Sequence, residues 1–252
     1  MTALDVLVVA LTGLAIGFSK AGVAGIMTLV GPVLTMIAGA PFANGMTLPL
    51  LVLGDLFVLW RFRGKWDLRV IWPMLPGAFL GIVLTGVFIL GFLADRKQLF
   101  NQAIGIIALF FCCLQLWLEA RRAKRGDQAE HTPAPPAVGM AAGGVTGMLS
   151  TIANQGGLVT NLYLLSQNLT KERFVASGAV LYFCINSSKV PFFCSHHEIT
   201  AQTLRLDLIG APFVILGGFL GASVLKVINE RVFNQLILWM TIITGLKLLI
   251  WP

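Results

Sequence analysis

The chain has 252 residues, 57% hydrophobic and only 12% charged, with a formal net charge of +7. Soluble domains carry roughly 25% charged residues, so this composition and a mean hydropathy of +0.85 exclude an ordinary soluble domain and indicate a polytopic helical membrane protein. Alternating segments of about ten residues, the mark of a β-barrel, are absent, and no basic face carries the interleaved aromatics of a nucleic-acid binder.

Residues 3–39 form one apolar stretch. As a single helix it would be about 55 Å long, against a hydrocarbon core of about 30 Å. Gly17-Phe18-Ser19-Lys20-Ala21-Gly22-Val23-Ala24-Gly25 interrupts it, which predicts a broken or re-entrant hairpin. Met1-Thr2-Ala3-Leu4-Asp5 has no basic n-region, so no cleaved signal peptide is expected. Spans follow at about 43–62, with Pro49 and the lone acid Asp55, at about 70–93, and at 98–118. Gly77, Gly81 and Gly86 in the second of these let helix backbones approach closely. Residues 119–136 are charged and Pro-rich, the composition of a linker.

The second half repeats the plan. A broken segment at 138–166 contains Ser150-Thr151-Ile152-Ala153-Asn154-Gln155-Gly156-Gly157. Spans are expected at 174–193, 206–228 and 232–251. Ala78-Phe79-Leu80-Gly81 answers Gly218-Phe219-Leu220-Gly221, and Leu99-Phe100-Asn101-Gln102 answers Val232-Phe233-Asn234-Gln235. Self-similarity in the same order indicates an internal repeat. The expected fold is therefore an all-α integral membrane protein of two inverted-topology repeats, 1–118 and 137–252. Each is a broken hairpin plus three transmembrane helices, and the linker 119–136 joins them.

Basic residues orient the chain. With the linker in the cytoplasm, the inner side holds Arg61, Arg63, Lys65, Arg69, Arg121, Arg122, Lys124, Arg125, Lys171, Arg173, Lys226 and Arg231; the outer side holds Arg96, Lys97 and Arg205. Both termini are then expected outside the cytoplasm.

An ionisable group in the membrane core costs at least about 2.5–3.5 kcal/mol and is a functional candidate by default. Lys20, with Ser19, Gly22 and Gly25, lies where an unpaired helix N-terminus would favour an anion; alternatively it neutralises Asp55 and fixes packing. Asn154, Gln155, Gly156 and Gly157 offer neutral donors and close backbone approach. The two breaks are expected to face each other near the bilayer midplane and to hold one small anion. Asn186, Ser187 and Lys189 lie within one span; Lys189 lines the pathway, pairs with Asp55, or reaches the outer interface. Asp55 is a candidate proton carrier or lysine partner. Asp207 and Lys247 are read as interfacial. Cys112, Cys113, Cys184 and Cys194 lack CxxC spacing, and His196-His197 lacks HxxxH, so neither a metal site nor a cofactor is expected. No nucleotide or hydrolase signature is present, and no enzymatic activity is expected.

Gly17-x-x-Lys20-x-Gly22-x-x-Gly25 followed by Pro32, and Gly147-x-x-Ser150 followed by Gly156-Gly157, resemble the duplicated Gly-rich segments of the TauE/SafE sulfite exporter (TSUP) family. The resemblance covers nearly the whole chain. Two departures stand out. Consecutive glycines are reduced to Gly22 and Gly25, and Asn161 stands near the usual place of proline. The resemblance implies export of sulfite or another sulfur-containing anion, such as an organosulfonate, across the bacterial inner membrane. Thiosulfate or a carboxylate in the uptake direction is the alternative. A membrane enzyme, an assembly subunit and a cation transporter are more remote. The expected partners are the anion and the lipid bilayer, with oligomeric state open and a homodimer among the options.

Overall fold

The computed structural model describes residues 3–22, 40–86, 102, 106, 109, 113, 134–154, 156–195 and 197–250. The expected span at 98–118 and most of the linker lie outside these. Among the described residues the secondary structure is helical, without strands. The elements are α1 (Ala3–Ala21), α2 (Ala40–Arg61), α3 (Leu68–Ile71), α4 (Met74–Leu84), α5 (Pro136–Ala153), α6 (Gly157–Ser166), α7 (Lys171–Ser195), α8 (Ala201–Val227) and α9 (Glu230–Ile250). By length and apolarity alone, α8 is able to cross a bilayer, with a mean hydropathy of 2.1.

Contacts divide the chain into two compact units, residues 1–71 with 170–233, and residues 72–169 with 234–252. Each draws on both halves of the sequence.

In the first unit, α1 lies against α8 with its glycines on the neighbouring backbone. A methyl group added at Gly13 would meet Gly210 O at 2.6 Å, and one at Gly17 would meet Val214 O at 1.9 Å. Gly22 answers Gly221, whose Cα a methyl group added at Gly22 would meet at 2.7 Å. Rising numbers answer rising numbers, so the two helices run parallel. Without a hydrophobic drive between helices in lipid, such close backbone packing is what holds them. The sequence places the first interruption at Gly17–Gly25, but the helix runs on through Gly17 to Ala21. Gly17 serves the close approach to α8 rather than a turn, and the bend falls at Gly22.

α7 runs back along α2. Its Ser177 Oγ accepts from Asp67 N at 2.9 Å, anchoring the loop after α2. Asn186, farther along α7, reaches Asp55 on α2. α8 starts with a reciprocal cap. Thr200 Oγ1 accepts from Thr203 N at 3.2 Å, and Thr203 Oγ1 accepts from Thr200 N at 2.9 Å. Two orphan donors are satisfied at once, and the helix begins five residues earlier than the apolar pattern indicates.

The second unit repeats the parallel pairing with α4 and α5. A methyl group at Gly77 would sit 2.0 Å from Met140 O, and one at Gly147 would sit 2.1 Å from Ala78 O. Gly81 likewise meets Gly144 O at 2.2 Å. Gly77 and Gly81 thus do what their spacing predicts. α6 folds back along α5. Leu149 packs with Leu158 and Val159, the hydroxyls of Thr146 and Thr160 are 3.0 Å apart, and Gly139 lies beside the Tyr163 hydroxyl.

Candidate functional site

The first unit gathers most of the ionisable residues expected within spans. α1 stops at Ala21 with Lys20 in its last turn, where a cation meets the unpaired carbonyl end of the helix. Lys20 Nζ bonds Asp55 Oδ1 at 2.5 Å. Asn186 Nδ2 donates to the other carboxylate oxygen, Oδ2, at 2.8 Å. The ammonium also stands 4.6 Å from the centre of the Tyr182 ring, a cation–π contact. Asp55 is fully buried, and the Lys20 side chain is 14% exposed. Lys189 is fully buried and lies within electrostatic reach of both Lys20 and Asp55.

The helices explain this meeting. Tyr182, Asn186 and Lys189 stand at i, i+4 and i+7 and share one face of α7. Gly54, beside Asp55, leaves room for the lysine stem. A methyl group there would meet Lys20 Cγ at 3.3 Å and Val214 Cγ1 at 3.7 Å. Val214 is the middle residue of the 27-residue α8, so the cluster lies about 20 Å from either end of that helix. With both ammonium groups and the carboxylate ionised, the trio carries a formal net charge of +1.

The second unit contains the other break. α5 ends at Ala153, and Asn154 takes the left-handed conformation, φ 53° and ψ 27°. Asparagine accepts that region more readily than most residues. Gly156 precedes α6 in a right-handed conformation. A methyl group there would lie 2.8 Å from Thr146 O and 3.0 Å from Ser150 Cβ, so the turn needs glycine for space. The sequence starts this interruption at Ser150, but helix persists to Ala153, and among the described residues Asn154 and Gly156 stand outside it.

The expected site residues are therefore sorted as follows. Lys20, Asp55, Asn186 and Lys189 come together, with Ser19 buried beside Lys20 in sequence and Ser187 half-buried on α7. Gly22 packs on Gly221. Asn154, Gly156 and Gly157 form the turn and helix start of the second unit, which is described by itself. Gly25 and Gln155 lie outside the described residues, as does any helix N-terminus following Lys20. Of the alternatives for Lys20, the ion pair with Asp55 is observed. Tyr182 joins the cluster as a residue without charge, and its i, i+4 spacing to Asn186 is the one sign of it in the sequence.

Asp207 is 6% exposed, and neither carboxylate oxygen has a hydrogen-bond partner among the described residues. The earlier start of α8 carries it two turns into the helix.

Residues 9–248 match the family model described as sulfite exporter TauE/SafE. The chain belongs to the TauE/SafE family. This is a family of integral membrane transporters, which accounts for the mean hydropathy of the TauE/SafE chain. No curated protein and no solved structure matches it.

Proposed function

We propose that this TauE/SafE protein exports a small sulfur-containing anion, sulfite or an organosulfonate, across the bacterial inner membrane. The supporting observation is the buried trio Lys20, Asp55 and Lys189, with one positive charge more than it has negative. A charge excess away from water is costly unless neutralised, and an incoming anion neutralises it. Asp55 accepts from Lys20 and Asn186, which holds both donors in place while the anion comes and goes. The ammonium groups supply full charges and several N–H donors, suited to the acceptor oxygens of a sulfite or sulfonate group. Ser19, Gly22, Gly25 and Ser187 flank these groups in sequence. In the other unit, Asn154, Gln155, Gly156 and Gly157 offer neutral donors and the start of α6 to an anion. The linker 119–136 is cytoplasmic and both termini are periplasmic in this reading.

Flux into proteoliposomes tests it. Sulfite or a sulfonate should move with the purified protein, and Lys20→Ala should abolish the movement. Flux no greater than in empty liposomes for sulfite, thiosulfate and sulfonates removes the proposal. Preference for a carboxylate would keep the anion site and change the substrate.

A further inference from the structure

The anion site contains an acid whose two oxygens are both engaged; the same interior face of α8 contains a second acid with neither engaged. We infer that Asp207 is a proton-binding site that loads together with the anion, so that transport is coupled to proton movement. This rests on the anion-transport reading and adds a coupling ion to it.

The geometry is as follows. Thr203, Leu206, Asp207, Gly210 and Val214 are buried along one stripe of α8. Leu206 packs with Val9 and Met46. Gly210, one turn beyond Asp207, faces Leu50 and Val9. Val214, two turns beyond, faces Gly54 beside the Lys20–Asp55 pair. Asp207 therefore lies in an apolar setting about 10 Å along the helix from the anion site.

Charged neighbours are few. α8 packs against α1 and α2. Their ionisable residues are Asp5 and Lys20, and Asp55 and Arg61. Lys20 and Asp55 bond each other at the level of Val214. Arg61 ends α2 beyond them, and the side chain of Asp5 lies outside the described residues. On α8 itself Arg205 is exposed and Lys226 is in the last turn. In the preceding loop His197 is exposed and Glu198 half-buried. Among the described residues neither oxygen of Asp207 has a hydrogen-bond partner. An ionised carboxylate left unpaired out of water is costly, and a bound proton removes that charge.

The anion bears on that proton. A negative charge arriving at Lys20 and Lys189 repels an ionised Asp207. At about 10 Å and an effective dielectric of about 20, that repulsion is worth roughly a fifteenfold change in proton affinity per unit charge. By linkage the bound proton raises anion affinity by the same factor. Proton and anion therefore load and leave together. A dianion with one proton still carries one net negative charge, which an inside-negative potential drives outward.

The test uses full-length protein in proteoliposomes holding a pH-sensitive dye, with thiosulfate or an alkylsulfonate as the probe. These anions do not titrate near neutral pH, so proton movement belongs to the protein. Wild type should move protons with the anion, with flux rising about tenfold on acidifying the loading side. Asp207→Asn should keep the flux and lose both proton movement and pH response, and Asp207→Glu should restore them. Unchanged proton movement in Asp207→Asn overturns the inference. Infrared spectra read protonation without transport. A protonated-carboxyl band in wild type that vanishes in Asp207→Asn supports the site even if no probe anion moves, and then it is the anion reading that fails. Absence of the band at neutral pH overturns the site.

Discussion

The Lys20–Asp55 pair gives the sharpest prediction. The bond is 2.5 Å long between a side chain 14% exposed and one fully buried, and Asn186 holds the second carboxylate oxygen at 2.8 Å. Removing one member of such a pair leaves an uncompensated buried charge and costs about 3–5 kcal/mol. Lys20→Met leaves Asp55 with Asn186 and the more loosely coupled Lys189. Asp55→Asn leaves two lysines with no counter-charge. Each variant should therefore melt lower by of order 10 °C in detergent, followed by size-exclusion or intrinsic fluorescence. The double variant Lys20→Met/Asp55→Asn removes both charges and should be more stable than either single variant. Added anion should act differently on the two singles. It can replace the missing negative charge in Asp55→Asn, raising stability by about 2.7 kcal/mol at one hundred times its dissociation constant. It has less to offer Lys20→Met. Additive melting shifts in the double variant, or anion rescue equal in both singles, would refute the reasoning that this cluster is organised by charge balance.

Lys189→Met removes the excess positive charge while leaving the Lys20–Asp55 pair, so anion affinity in a binding or flux assay should fall at least about tenfold without loss of melting temperature. Gly17→Ala places a methyl group 1.9 Å from Val214 O, a backbone atom that cannot turn aside. It should cost at least about 1–3 kcal/mol and reduce the folded fraction in size-exclusion profiles. At the left-handed Asn154, glycine should be tolerated, whereas the β-branched Asn154→Val should lower stability by about 1–3 kcal/mol in the same melts.

Much of this site was legible in the letters, because membrane cores penalise charge so heavily that Lys20, Asp55 and Lys189 stand out wherever they occur. Their residue types identify candidates, but which ones meet depends on helix direction and rotation. That Lys20 reaches Asp55 follows from the approach of α1 to Gly54, which the letters do not show. Helix ends were less legible. Gly17 and Ser150 read as breaks because glycine and polar residues mark turns, yet both lie in helices whose small residues serve packing. The start of α8 was missed for the opposite reason: its polar first turn looks like loop until Thr200 and Thr203 are seen to cap each other.

The two compact units share one construction. In each, a helix that stops at a bend is laid parallel against a glycine-bearing helix from the other half of the sequence: α1 with α8, and α5 with α4. The small residues of the matched letters, Ala78 and Gly81 in one and Gly218 and Gly221 in the other, occupy those contacts, while the Phe and Leu between them are exposed. A helix ending at membrane depth exposes carbonyl groups that water would otherwise satisfy, so its end is held only if its backbone is fixed by something other than lipid. Backbone-to-backbone packing supplies that fixture, because it leaves no side chain free to yield. The glycines thus belong to the same physical problem as the charges. Lys20 can meet Asp55 at the level of Val214 because Gly13, Gly17 and Gly22 lock α1 against α8.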